Sequence, residues 1–156
     1  MIDLLYILAF TVFFSFFDYI GYNESVKHGW VNEKFINPYR IVQGSVQIIL
    51  LALAWYFIGW IVSLGFFLLW WTWNCDLIYY FLHDTLKIYL PTGAFKREVM
   101  GNQVTWAWWT PYGLYLWVES GTKGEVINGS TLLWQSWIGI LITILIVLIW
   151  QNIQIF

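Results

Sequence analysis

Apolar residues run along this chain in long blocks with few polar interruptions, and the blocks have the length of a bilayer. Residues 4–22 form the first, and up to Ile20 only Thr11, Ser15 and Asp18 break it. Residues 41–83 form the second. That is too long for one helix, because a transmembrane span needs about 20 mostly apolar residues. Gly59, Ser63 and Gly65 supply backbone freedom for a tight turn near Trp60–Gly65. The block then divides into spans over 41–60 and 64–83, and residues 132–150 make the last span. The pattern predicts an all-α membrane protein. It is a polytopic bundle of about four transmembrane helices, a single membrane domain over 1–156, with a long aromatic-rich loop, 84–131, between the third and fourth spans.

The polar residues inside the blocks recur at helical spacing. Thr11, Ser15, Asp18 and Tyr22 lie on one face of the first helix. Arg40, Gln43 and Gln47 do so on the second, Asp76, Tyr80, His83 and Lys87 on the third, and Ser136, Gly139 and Thr143 on the fourth. Four stripes at one depth predict a polar cavity that opens at the end of the bundle carrying Arg40 and His83.

The loop is longer than an ordinary connector, and such loops tend to carry function. Within it, residues 104–118 read VTWAWWTPYGLYLWV. Thr110-Pro111-Tyr112-Gly113 fits a turn with Pro second and Gly fourth, and the aromatic and β-branched flanks suit an interfacial hairpin. A broken, re-entrant or interfacial helix is the competing shape, and a fifth span the third.

Composition agrees with a lipid setting. The chain is 60% hydrophobic and 10% charged, against about 25% charged in soluble domains. A net charge of −2 points to no nucleic-acid partner, and the one cysteine, Cys75, makes no intrachain disulfide. The start Met1-Ile2-Asp3 has no basic residue and does not read as a secretory signal. Charge also sets the topology. With four spans, Lys27, Lys34 and Arg40 fall in the first loop and Lys87, Lys96, Arg97 and Lys123 in the third. All basic residues then share one face, expected to be the cytoplasmic (insertion) side, with both termini opposite. A fifth span would move Lys123 across.

Ionisable groups within spans are costly and mark candidate sites. Asp76 comes first, then Asp18 and His83, as candidates for acid–base catalysis. Against this stands helix packing, in which polar side chains bond helices together. By that reading Asp18 pairs with Arg40 near the interface and His83 is an interfacial histidine. A metal held by Asp76, His83 and Glu119, with Asp18 or Asp84 nearby, is chemically possible. The close histidine pairs of zinc hydrolases are missing, however, and Cys75 is expected to point away from Asp76. No G-x-S-x-G turn or glycine-rich phosphate loop appears, and the sequence leaves the cofactor unknown.

Tryptophan is the other unusual feature, with 13 residues. Trp106, Trp108, Trp109, Trp117, Trp134 and Trp137 fit one interfacial belt, and Trp60 and Trp150 the opposite one. Trp70, Trp71 and Trp73 lie within the third span. There they either pack against neighbouring helices or wall a pocket for a flat or long apolar ligand.

Three functional expectations follow. The first is a subunit of a larger membrane complex or a homo-oligomer, consistent with the absence of a strong motif. The second is a membrane-embedded enzyme acting on a lipid or isoprenoid at the cavity around Asp76 and His83. The third is a transporter or channel component, although no inverted repeat is visible.

Overall fold

A computed structural model of the chain describes residues 2–28, 38–86, 109–120, 127 and 129–153. Their elements, in chain order, are α1 (Ile2–Lys27), α2 (Pro38–Phe57), α3 (Trp60–Trp71), α4 (Asn74–Leu86), α5 (Pro111–Ser120) and α6 (Gly129–Ile153). No strand occurs among the described residues. Three helices are long and apolar enough to cross a membrane: Ile2–Lys27, Tyr39–Phe57 and Gly129–Ile153. The pair Trp60–Trp71 and Asn74–Leu86 passes the same test only when taken together, and it is bent by 64°. The outer faces are apolar. Leu5 and Phe13 of α1, Ile41 and Ile48 of α2, and Leu141 and Leu145 of α6 all stand exposed. Such continuous apolar surface suits lipid, since soluble monomers rarely show it.

The helices alternate in direction. At one end, Gln151 Nε2 donates to Asp3 Oδ2 at 3.2 Å, and Trp60 meets Trp150 edge-on at 4.9 Å. At the other end, α1 meets α4 where Asn23 reaches His83. Ile7, Ala54, Val62 and Val147 form a core joining α1, α2, α3 and α6, and Phe14, Leu50, Phe66 and Cys75 a second core beside it. Gly65 is the close-approach point. A Cβ there would run into Ile7 and Thr143, so its missing side chain lets three helices meet.

The α2–α3 turn is tighter and earlier than the sequence suggests. It consists of Ile58 and Gly59, and Gly59 has φ +138°. That backbone region suits glycine alone. Ser63 and Gly65, expected in the turn, are helical. Ser63 Oγ instead donates to the Leu51 carbonyl at 3.0 Å and pins α3 to α2.

The expected span 64–83 is not one helix. It breaks at Thr72–Trp73, where Trp73 takes φ 76°. A polar knot holds the break. Thr72 Oγ1 donates to Leu68 O at 2.7 Å and accepts from Asn74 Nδ2 at 3.0 Å, and Ser136 Oγ donates to Thr72 O at 2.9 Å. Gly139 lies directly opposite, where a Cβ would overlap the Thr72 side chain. The Ser136/Gly139/Thr143 stripe of α6 therefore serves the break and the Gly65 crossing, not a cavity.

The expected hairpin over 104–118 is replaced, in its described part, by helix. Thr110-Pro111 is a helix start: Gly113 N–H donates to Thr110 Oγ1 at 3.4 Å, Leu114 N–H donates to Thr110 O at 2.8 Å, and Pro111 is the first helical residue. This is the position where a missing N–H does no harm. Gln135 of α6 accepts from the Tyr112 N–H at 2.8 Å and ties α5 down. At ten residues α5 is about 15 Å long, half of a hydrocarbon core. Val104–Trp108, the other arm, lies outside the described residues, as do Lys34, Lys87, Lys96, Arg97, Lys123, Trp106, Trp108 and the Trp117 side chain.

Candidate functional site

Stripes from α1, α2 and α4 do converge, on a cavity of about 610 Å³. That lies within the ordinary range for small-molecule sites, about 300–1,000 Å³. Its polar wall is Asp18, Arg40, Gln43, Gln47 and Asp76. Its aromatic wall is Phe14, Phe67, Trp70, Trp71 and Trp109, with Gly44 and Cys75 completing the lining.

One side of the polar wall is a closed network. Tyr39 donates from its hydroxyl to Asp18 Oδ1 at 2.5 Å, and Gln43 Nε2 donates to the same oxygen at 2.6 Å. Arg40 Nη1 donates to Gln43 Oε1 at 2.6 Å, and the guanidinium lies 5.8 Å from the Tyr22 ring centre. Arg40 thus supports Asp18 through Gln43. The direct Asp18–Arg40 pair expected from the sequence is absent among the described residues. α1 and α2 are bonded here by a carboxylate that neighbours satisfy, as a buried carboxylate requires.

The other side is open. Gln47 is 3% exposed, yet neither its Nε2 nor its Oε1 has a hydrogen-bond partner among the described residues. The half-buried Asp76 accepts from its own backbone N–H, with no hydrogen bond or salt bridge to another described side chain. Buried amides are nearly always paired, and each exception asks for an explanation.

The aromatic wall is built from three elements. Trp70 and Trp109 stack at 5.2 Å with an interplanar angle of 22°, and Trp71 Nε1 donates to Trp109 O at 3.1 Å. Trp109 is therefore part of the cavity wall. The Thr110 helix start and the Gln135 contact hold it in place. Trp70 and Trp71 stand where a ligand wall is expected. Trp73 does not: it is fully buried with Tyr80, Ile127 and Leu132.

Phe67 also lines a second, apolar groove of about 800 Å³ between α2 and α3, with Ile48, Leu51, Trp55, Trp60 and Leu64. Ser63 is there too, but its hydroxyl is bonded to Leu51 O. Arg40, Gly44, Gln47, Leu51 and Trp55 succeed one another along one face of α2, so the cavity and the groove follow each other on a path down that helix and share Phe67. Fifteen residues at about 1.5 Å each make that path roughly 22 Å long.

The remaining candidates lie elsewhere. His83 is fully buried, with Nε2 3.2 Å from Asn23 Nδ2 and its ring edge-on to Tyr19 and Tyr79, each at 4.7 Å. It is a packed histidine, shielded from water by its neighbours. It is absent from the cavity lining, and seven residues of helix put it about 10 Å along α4 from Asp76. Glu119 is exposed on α5, beside Tyr115. Among the described residues no group of three His, Cys, Asp or Glu side chains is placed to hold a metal. Cys75, expected to face away, borders the cavity next to Asp76. Tyr39 and Trp109 are the contributors that periodicity within spans does not reveal. Tyr39 follows Pro38 in the first turn of α2, before the polar spacing begins, and Trp109 comes from the loop.

Compared with protein-family models, curated proteins and solved structures, the chain matches none.

Proposed function

We propose that this is a membrane protein of four spans, the bent α3–α4 pair crossing as one broken helix, that binds an amphipathic, lipid-like molecule. The polar head enters the cavity and the tail lies in the α2–α3 groove. One observation carries the reading. Gln47 presents a buried, unpartnered amide in the polar cavity, one step along α2 from Ile48 of the apolar groove, and cavity and groove share Phe67. A site with one polar end and one apolar end fits a molecule of the same build. Irregular backbone at membrane depth, as at Thr72–Trp73, is tolerated where it is buried in protein or lines a cavity. In this reading the end of the bundle bearing Lys27 and Arg40 faces the cytoplasm.

The reading covers binding. An enzyme acting on the bound lipid or isoprenoid would draw on Asp76, the open carboxylate, with Asp18 held in its network and His83 outside. Photo-crosslinking with a diazirine-tailed single-chain lipid tests the site. Labels are expected to concentrate on the groove residues Ile48, Leu51 and Leu64. Even labelling over all outward helix faces contradicts the reading.

A specific feature also favours a partner subunit. Trp55, Tyr56 and Phe57 crowd the end of α2 at 67%, 81% and 73% exposure, and aromatics are enriched at interfaces. A partner seated there would close the apolar end of the groove and leave the polar cavity free.

A further inference from the structure

We infer that the head taken by the cavity is an organic ammonium carried on an alkyl chain, an inference that rests on the binding reading above. The charges on the wall point to it. Two carboxylates and one guanidinium line the cavity. Asp18 is satisfied by Tyr39 and Gln43, and Arg40 is engaged by Gln43 and by the Tyr22 ring. Asp76 forms no salt bridge among the described residues and feels Arg40 only across the cavity, so the lining sets two carboxylates against one guanidinium. A charge held away from water calls for a partner.

The rest of the wall suits the same head. Indole faces attract ammonium groups, and Trp70, Trp71 and Trp109 line the same cavity as the polar residues of α2. The Trp71 N–H is already donated to Trp109 O, which removes one donor an anionic head would use. An ammonium N–H offers the Gln47 carbonyl oxygen the donor it lacks and Asp76 a cationic one. The apolar groove takes the chain, and only Ser63 among its lining is polar, with its hydroxyl already bonded. The same chemistry reaches the site from two sources: an aminolipid of the bilayer, or an alkylamine from water.

Native mass spectrometry of the full chain in a neutral maltoside micelle tests this, with dodecylamine, dodecanol and dodecanoate as probes sharing one tail. Dodecylamine is expected to bind at least about tenfold more tightly than the other two, the size of one desolvated charge contact. Asp76→Asn is expected to bring dodecylamine down to the level of dodecanol. Because Asp76 bonds no other described side chain, the variant keeps the fold. Gln47→Leu gives an independent second variant with the same direction and a smaller loss. Equal binding of the three probes to the wild type, all lost in Gly44→Phe, overturns the ammonium head and leaves the binding reading standing. No binding of any probe overturns both. A second arm uses mixed phosphatidylethanolamine and phosphatidylglycerol vesicles. Enrichment of the ethanolamine lipid on the wild type and not on Asp76→Asn assigns the bilayer as source. No enrichment, with the dodecylamine preference intact, assigns the free amine.

Discussion

Gln43 donates from Nε2 to Oδ1 of Asp18 at 2.6 Å, and through its own carbonyl oxygen it couples that carboxylate to Arg40. The amide is a bridge between a buried anion and a cation that does not reach it. Replacing it separates the two. Interhelical hydrogen bonds in membranes average about 0.6 kcal/mol, but stranding part of a buried carboxylate costs about 1–3 kcal/mol. The second effect dominates. Gln43→Leu is expected to lower stability by about 1–2 kcal/mol, read by unfolding in a denaturing-detergent titration. Gln43→Glu is expected to do worse, because it faces Asp18 with a like charge.

The two close-approach glycines should respond differently to one methyl group. At Gly65 the nearest obstacle is the end of the Ile7 side chain, with the Thr143 methyl beyond it, and side-chain rotation can ease both. At Gly139 it is Thr72 at its Cβ and hydroxyl, and that hydroxyl is already bonded to Leu68 and Asn74. Gly139→Ala is therefore expected to cost about 1–3 kcal/mol and Gly65→Ala less than about 1 kcal/mol. Thermal unfolding of both variants in the same detergent checks the order.

His83 and Asp76 share a helix face but should separate by function. His83→Phe keeps a ring between Tyr19 and Tyr79 and removes the Asn23 bond, so a stability loss of about 1 kcal/mol is expected, with ligand binding unchanged. Asp76→Asn is expected to leave stability unchanged and weaken binding. Melting and ligand-adduct measurements on both variants decide. Loss of the adduct in His83→Phe would return His83 to the site.

Trp73 sets two effects against each other. Its backbone at φ 76° is uncomfortable for a large residue, and glycine would relieve about 1–2 kcal/mol. Its indole is fully buried, and emptying such a site costs about 3–5 kcal/mol. Trp73→Gly is therefore expected to be destabilising overall in the same titration.

Helix content and the membrane character of three helices are legible in the sequence, because runs of apolar residues at bilayer length have few other uses. The stripes of α1, α2 and α4 are legible for the same reason: Asp18, Gln43, Gln47 and Asp76 stand at helical spacing amid apolar neighbours. The break at Thr72–Trp73 is not. Thr72 and Asn74 are ordinary polar residues until Ser136 and Gly139 of α6 meet them, and that pairing is tertiary. Thr110-Pro111 reads equally as a turn or as a helix start, and only Gln135 decides it. Trp109 follows from that decision, so the aromatic wall is half hidden. The α6 stripe is legible as polar but not in its purpose, since spacing shows a face without naming its neighbour.

Gly44 offers the most direct test of the binding site. It lines the cavity, and a Cβ there would meet nothing within 4 Å. A larger side chain should fill the cavity without disturbing the fold, and loss of a mid-helix glycine should stabilise by up to about 1 kcal/mol. The measurement is native mass spectrometry of wild type and Gly44→Phe, each extracted gently from the membrane in which it was made. The wild type is predicted to carry a defined amphiphile, and Gly44→Phe to be equally stable and empty. A wild type that carries no small molecule, or a variant that carries the same one at the same level, contradicts the site.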